Sequence, residues 1–97
     1  MEIFKKKILN VMQLCNKELL NRKNGIEGES TIDQLTNIII PELHYLVETI
    51  DNGNLPLRKD RYLISFANAF TVWGWDMNNP TELFKALVDL NNMYKVL

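Results

Sequence analysis

The chain has 97 residues, of which 46% are apolar and 24% are charged, and its net charge at pH 7 is −1. These values are ordinary for one soluble globular domain, and a chain of this length can bury a single core without metal or disulfide support. A single cysteine excludes an intrachain disulfide and fits a reducing, cytoplasmic setting, while no apolar run approaches the ~20 residues that cross a membrane. Residues 1–97 are therefore predicted to form one domain.

Charge is distributed unevenly along the chain. Residues 1–23 carry six basic and two acidic side chains, and residues 58–97 carry five basic and four acidic ones. Residues 24–57 carry six acidic side chains and no Lys or Arg. A block of one sign is unusual for a soluble helical segment, so this middle third is the main electrostatic feature of the sequence.

The first predicted helix covers residues 2–22. Its apolar residues recur every three or four positions, which is the spacing of a helix face that packs on a core. The lysines at positions 5–7 lie off this stripe and are interpreted as a solvated face. Cys15 lies in the stripe and is interpreted as a small core residue. The stripe consists of Phe4, Ile8, Val11, Met12, Cys15 and Leu19.

The second helical region is predicted over residues 32–51, after a loop at residues 24–30. Thr31 and Gln34 match a capping box, in which the two side chains satisfy main-chain N–H groups at the helix start. Pro41 interrupts the pattern, because proline removes a helical hydrogen bond, so the region is either one kinked helix or two short helices. The face opposite the apolar stripe carries Asp33, Asn37, His44, Glu48 and Asp51.

The third predicted helix contains most of the aromatic residues and is predicted to be the central packing element. Gly74 is expected to end it, and Trp75 beyond it is either partly exposed or folded back over the core. Basic side chains near its start oppose the helix dipole, so they either pair with the acidic second helix or serve a partner. The aromatic stripe is Tyr62, Phe66, Phe70 and Trp73, and the basic residues are Arg58, Lys59 and Arg61.

The last predicted helix follows the sequence Asn79-Pro80-Thr81-Glu82. Asn79 is expected to be its N-cap and Pro80 its first residue. Its apolar stripe includes Leu83, Leu87, Leu90, Tyr94 and Leu97. Helices joined by short loops imply antiparallel neighbours, so we predict an all-α fold, an antiparallel bundle of four helices, or five if the second is split at Pro41.

The residues needed for catalysis or metal binding are not brought together by the sequence pattern. His44 is the only histidine, no Cys or His cluster has metal-ligand spacing, and no phosphate-binding glycine loop is present. Cys15 is predicted to lie in an apolar stripe and His44 on a polar face, which disfavours a nucleophile–base pair. We therefore predict no catalytic residue, no cofactor and no metal, and a binding module instead of an enzyme.

The C-terminal part of the chain, from residue 61 onward, resembles small helical bacterial immunity proteins. These proteins belong to polymorphic toxin systems, including those of contact-dependent growth inhibition. The resemblance implies a cytoplasmic protein that binds one cognate toxin domain, often a nuclease, and blocks its active site. The residues that carry it are Arg61, Phe66, Ala69, Phe70, Trp73, Gly74, Trp75, Pro80, Leu83, Leu87, Leu90, Asn91 and Tyr94.

The acidic second helix agrees with that implication. Nucleases need basic surfaces to hold nucleic acid, and an acidic surface can occupy such a site and speed association. Glu27 and Glu29 in the preceding loop are weaker candidates for this role. The predicted partner-binding residues are Asp33, Glu42, Tyr45, Glu48 and Asp51.

Two other functions remain open at this stage. In the first, the chain is a homo-oligomeric structural or adaptor protein that associates through Trp75 and Met77. In the second, a regulator binds nucleic acid through the basic groups at positions 5–7 and 58–61, although no helix carries the row of basic and amide side chains that enters a major groove. A mass that depends on concentration in solution would favour the first function, and salt-sensitive binding in a gel shift would favour the second.

Overall fold

The computed structural model describes residues 1–97 and contains four helices and no strand, which confirms the all-α prediction. Helix α1 is Glu2–Lys23, α3 is Ile64–Thr71 and α4 is Glu82–Lys95. The second helix, α2, spans residues 32–51 without a break, and a single 3₁₀ turn precedes α3. None of these helices combines the length and the hydropathy needed to cross a membrane. The segments of α2 are Ile32–Gln34, Leu35–Ile39 and Ile40–Asp51, and the 3₁₀ turn is Arg58–Asp60.

Helix α1 lies between antiparallel neighbours. Lys5 near its start binds Asp51 at the end of α2, with 2.7 Å between Nζ and Oδ1. The ring of Phe4 stacks on Tyr94 near the end of α4, with ring centroids 5.9 Å apart. Both contacts join the start of one helix to the end of another, so α2 and α4 each run antiparallel to α1.

The core is built by α1, α2 and α4. Each supplies apolar side chains at the three- and four-residue spacing expected of a buried helix face, and these side chains are almost completely removed from solvent. The stripe predicted on α1 is therefore fully buried at four of its six positions, and the other two, Met12 and Leu19, are half-buried against the core. The buried residues are Phe4, Ile8, Val11 and Cys15 on α1; Leu35, Ile39, Leu43 and Leu46 on α2; and Leu83, Phe84, Ala86, Leu87, Leu90 and Tyr94 on α4.

The prediction that the aromatic helix is the central packing element is wrong. Helix α3 has only eight residues and buries Ser65 and Ala69, whereas Tyr62 and Phe70 are exposed. The pattern misleads because residues 61–63 are not helical: Leu63 has extended backbone angles, φ −89° and ψ 125°. Tyr62 therefore lies outside the helix, and the expected stripe does not form. Helix α1 takes the central position instead.

Trp75 folds back over the core. Gly74 adopts a positive φ of 67°, a conformation that favours glycine, and lets the chain reverse after α3. The main-chain N–H of Trp75 then donates to the Ala69 carbonyl at 3.0 Å. The indole ring packs edge-on against the ring of Phe84, with centroids 5.4 Å apart. Trp75 is only 5% exposed, so of the two predicted positions the buried one is correct.

Helix α2 is one continuous segment, not two helices. Around the proline the helix widens, and the Ile40 N–H donates to Leu35, five residues back, instead of to Thr36. The carbonyl of Thr36 therefore receives neither the Ile40 N–H, its α-helical donor, nor a π-helical donor from position 41, because Pro41 has no N–H. Because Thr36 is exposed, water can satisfy that carbonyl. The bundle therefore has four helices.

The two predicted helix starts have different outcomes. The capping box is confirmed: the Gln34 N–H donates to Thr31 Oγ1 at 3.0 Å, and Gln34 Oε1 accepts from the Thr31 N–H at 3.1 Å. The N-cap of α4 is Thr81, whose hydroxyl accepts from the Phe84 N–H at 3.1 Å, and not Asn79 as predicted. The Asn79 N–H instead donates to Asp76 Oδ1 at 3.2 Å in the preceding turn.

Candidate functional site

The outer face of α2 carries the acidic residues expected from the sequence. Asp33, Glu48 and Asp51 are all exposed, and the whole segment contains no Lys or Arg. At 1.5 Å per residue, Asp33 and Glu48 lie ~22 Å apart along the helix. The carboxylates therefore form a row along one helix and not a compact cluster. Such a row is suited to contact with the extended surface of another protein more than to binding a small cation.

Glu42 has a structural partner within the chain. Its Oε2 accepts the Ile64 N–H at 2.6 Å, and its Oε1 accepts the Ser65 N–H at 2.8 Å. These are the first N–H groups of α3, which lack acceptors within the helix and carry the positive end of its dipole. Glu42 thus fixes the start of α3 on α2, and its negative charge is largely used inside the molecule.

Asp51 and Glu48 lie in the last turn of α2 and differ in their surroundings. Asp51 binds the Lys5 ammonium group, and this hydrogen bond and charge raise the pKa of Lys5. The carboxylate of Glu48 takes part in no hydrogen bond or ion pair within the chain, and only its main-chain carbonyl accepts a hydrogen bond, from the Asn52 N–H. A carboxylate in the last turn of a helix opposes the helix dipole. Glu48 is therefore both unpaired and unfavourably placed in the free protein.

A groove lies between α2 and the segment that leads into α3. It encloses about 440 Å³, and most of its lining is apolar. Tyr45 on α2 is 69% exposed and borders it, as does Tyr62 from the other side. No Lys or Arg lines this groove, and its only charged residue is Glu42. The other lining residues are Asn37, Ile38, Pro41, Leu46, Leu63, Ile64 and Tyr94.

The structure divides the five predicted partner-binding residues among three depressions. Glu42 and Tyr45 line the groove. Glu48 and Asp51 border a shallow depression against α1, together with His44, and Asp33 lies beside the loop that follows α1. Sequence analysis did not assign Tyr62 to this surface, because it placed that side chain in a buried helical stripe.

The basic residues before α3 are used within the chain. Arg58 Nε donates to the Leu97 carbonyl at 3.1 Å, and its Nη2 donates to the Val96 carbonyl at 3.3 Å. Arg61 also donates to the Leu97 carbonyl, and its Nε donates to Pro56 at 2.8 Å. These guanidinium groups satisfy carbonyls at the end of α4, where cations are favoured. The sequence predicted that these basic residues either pair with the acidic second helix or bind a partner, and neither role describes these contacts.

The loop after α1 is held by charged side chains. Arg22 Nε donates to the Ser30 carbonyl at 2.6 Å, and its Nη2 lies 2.5 Å from Glu18 Oε2. Glu29 Oε2 accepts the Asp76 N–H at 2.8 Å, which joins this loop to the one before α4. Of the two weaker acidic candidates, Glu29 is thus engaged inside the molecule, whereas Glu27 is exposed.

Cys15 and His44 do not come together. Cys15 is fully buried, and burial raises the pKa of its thiol to about 12, whereas His44 is exposed on α2. No group of three or more His, Cys, Asp or Glu side chains is arranged to hold a metal ion. The features that distinguish the outer face of α2 are therefore its negative charge and the apolar groove beside it.

No family model, curated protein or solved structure matches the chain. The roles of its residues consequently follow from their own contacts and charges. These contacts describe a four-helix bundle with an acidic helix face beside a tyrosine-bordered groove.

Proposed function

We propose that this chain is an immunity protein that binds and neutralises a cognate toxin domain, a basic nuclease by class, through the outer face of α2. The observation that carries the proposal is the position of Glu48. It is a carboxylate without a partner in the last turn of a helix that contains no basic residue. A basic partner surface would relieve the unfavourable interaction with the helix dipole and gain a favourable charge pair.

The neighbouring groove supplies the apolar contact that charge alone does not provide. Exposed charges mainly raise the association rate and exclude wrong partners, whereas most of the binding energy of an interface comes from a few desolvated aromatic or Arg anchors. Tyr45 is exposed three positions before Glu48 on α2, which makes the two side chains neighbours on the helix surface, and Tyr45 also borders the groove. The proposed interface is therefore an apolar centre at Tyr45 with Asp33 and Glu48 towards its two ends.

The alternative of a homo-oligomeric structural or adaptor protein loses its predicted anchor. Trp75 is buried against the core and only Met77 of that pair is exposed. The nucleic-acid alternative is disfavoured by the contacts of its basic residues. Two of the lysines lie within 4.0 Å of a carboxylate, and two arginines bind carbonyls at the end of α4. The lysines are Lys5 and Lys7, and the arginines are Arg58 and Arg61.

The proposal is tested by retention of partners from lysate of the native host. The tagged wild type, a triple variant of the α2 face and a triple control variant are compared at low and high salt, with mass spectrometry of the retained proteins. Both variants lose three negative charges and keep the shape of the side chains. The test variant is Asp33→Asn, Glu48→Gln and Asp51→Asn, and the control is Glu2→Gln, Asp60→Asn and Glu82→Gln.

We expect one basic protein, present in stoichiometric amount, to be retained by the wild type and the control at low salt. Retention by the test variant should fall about tenfold, in line with the effect of charge on association, and high salt should remove the difference. Equal retention by the test and control variants would show that the α2 face does not bind the partner.

A further inference from the structure

The short helix α3 buries small side chains and exposes large apolar ones. It buries Ser65 and Ala69 against α4, while Ile64 and Phe70 are each 53% exposed. An amphipathic helix normally turns its large apolar residues inward and its small or polar residues outward. Two of the three large apolar side chains of α3 therefore face away from its own bundle, and only Phe66 packs on the core. A contact outside the chain would account for this arrangement.

The outward residues of α3 form a continuous band. Helix geometry of about 100° per residue places Ala67 midway between Ile64 and Phe70 and opposite the buried face. The ring of Phe66 stacks on Phe70, with centroids 6.3 Å apart. At the other end, Ile64 and Tyr62 both line the groove. The band thus runs from Tyr62 over Ile64 and Ala67 to Phe70, and Phe66 lies beside it, half-buried against the core.

The band is uncharged. Residues 64–75 contain no Asp, Glu, Lys or Arg, although the chain as a whole is 24% charged. A basic partner attracted by the carboxylates of α2 finds no complementary charge here. In contrast, two identical surfaces can face each other across a two-fold axis without like-charge repulsion only when they are neutral or self-complementary. The lack of charge therefore favours a second copy of this chain over the basic partner of the α2 face.

We infer that this band is a homodimer interface in which two α3 helices pack antiparallel across a two-fold axis at Ala67. Ile64 lies three positions before Ala67 and Phe70 three positions after it. When two antiparallel α3 helices cross at Ala67, Phe70 of one copy therefore faces Ile64 of the other. A small residue at the crossing point allows the helix axes to approach to the ~8–10 Å of packed helices. Phe66 then covers one side of the contact and Tyr62 its end.

The exposed area agrees with a dimer of modest stability. Tyr62, Ile64 and Phe70 are each more than half exposed and Phe66 is less so. Since large apolar side chains present roughly 150–250 Å² each, the four together expose on the order of 400 Å². Apolar atoms contribute roughly 57% of the area of a typical interface. An interface that contains this apolar area would therefore bury roughly 700 Å² per copy in total. Standard interfaces bury ~800 Å² per partner. We therefore expect a dimer that dissociates on dilution.

The inference goes beyond toxin binding and is tested on the purified full chain. The molar mass is measured by sedimentation equilibrium over a dilution series for the wild type and for Phe70→Lys. A control, Leu20→Lys, introduces the same charge at an exposed apolar residue of α1. Phe70 is largely exposed, so its replacement should leave the fold intact, which thermal unfolding verifies.

We expect the wild type and the control to form dimers with similar dissociation constants, and Phe70→Lys to raise that constant at least tenfold. A second measurement locates the axis: Ala67→Cys should form a disulfide-linked dimer under mild oxidation, and Leu20→Cys should not. Cys15 is fully buried and does not interfere. A monomer mass for the wild type at every concentration, or a dimer that Phe70→Lys leaves unchanged, would overturn the inference.

Discussion

The four carboxylates on α2 differ in what donates to them, although they belong to the same residue class. Glu42 accepts two main-chain N–H groups of α3, Asp51 binds Lys5 of α1, and Asp33 accepts from the amide of Asn37. Glu48 has no donor. Two of these partners lie 22 and 46 residues away in the chain, so no local pattern could separate the structural carboxylates from the free one.

Cys15 behaves as the sequence pattern indicated, as a small core residue, and this has a consequence for pH. Burial raises the pKa of its thiol from 9.0 to about 12. The folded protein therefore holds this proton more tightly than the unfolded chain. The resulting contribution to stability is complete below about pH 9 and is lost as the pH rises from 9 towards 12.

We predict that the free energy of unfolding of the wild type falls more steeply between pH 9 and 11 than that of Cys15→Ala. Urea unfolding of both proteins at several pH values measures this difference, because the titrations of Lys and Tyr side chains are common to the two. Parallel pH curves would contradict the burial of the thiol. Reaction of the native thiol with a thiol reagent at pH 8 should likewise occur only through unfolding.

Helix α3 shows which features of an element can be predicted from sequence and which cannot. The left-handed conformation of Gly74 was predicted from its residue type, because positive φ values favour glycine, but α3 ends at Thr71, three positions before the glycine that was expected to end it. The start of α3 was not predicted, since it depends on the Glu42 carboxylate of another helix. Without knowledge of that cap, the apolar spacing from Tyr62 onward suggested a longer helix with a buried aromatic face.

The start of α3 should be sensitive to the Glu42 carboxylate. We predict that Glu42→Ala lowers the free energy of unfolding by about 1–2 kcal/mol, because two N–H groups at the helix start lose their acceptor. Glu42→Gln retains one acceptor oxygen and should lower it less. The control, Glu48→Ala, changes an exposed and unpaired residue of the same helix and should stay within about 0.5 kcal/mol of the wild type.

Urea unfolding measures these differences, and hydrogen exchange at the amides of Ile64 and Ser65 reports on the cap directly. If Glu42→Ala and Glu48→Ala have the same stability, Glu42 does not hold α3 in solution. In that case its carboxylate would be as free to meet a partner as that of Glu48.

At the scale of the whole molecule, the sequence predicted an all-α bundle of four or five helices and the apolar stripes of α1, α2 and α4. Those features follow from apolar residues repeating at helical spacing over long segments. It did not predict that α1 is central, since three of the helices carry similar stripes and only the antiparallel contacts with Asp51 and Tyr94 place α1 between two others. The position of the basic residues before α3 likewise depends on the distant end of α4.

The molecule presents two surfaces with different character. The α2 face is acidic and borders an apolar groove, and the α3 face is apolar and uncharged. Salt should weaken binding at the first, because its charges are exposed, and should affect the second little. The two surfaces meet at the groove, which Tyr62 and Ile64 line, so their different salt dependence separates the toxin-binding proposal from the dimer inference on the same protein.

The most direct test of the toxin-binding proposal is the effect of Glu48→Lys on both stability and partner association. In the free protein a cation in the last turn of α2 favours the helix dipole, so thermal unfolding should show a stability gain of about 0.3–1 kcal/mol. The association rate with the partner recovered from lysate, measured on an immobilised surface at low ionic strength, should fall about tenfold or more. Asp60→Lys, with the same charge change in the exposed 3₁₀ turn, should leave that rate close to the wild-type value. A more stable Glu48→Lys protein that binds more slowly is the predicted result, and association at the wild-type rate would contradict the proposed role of the α2 face.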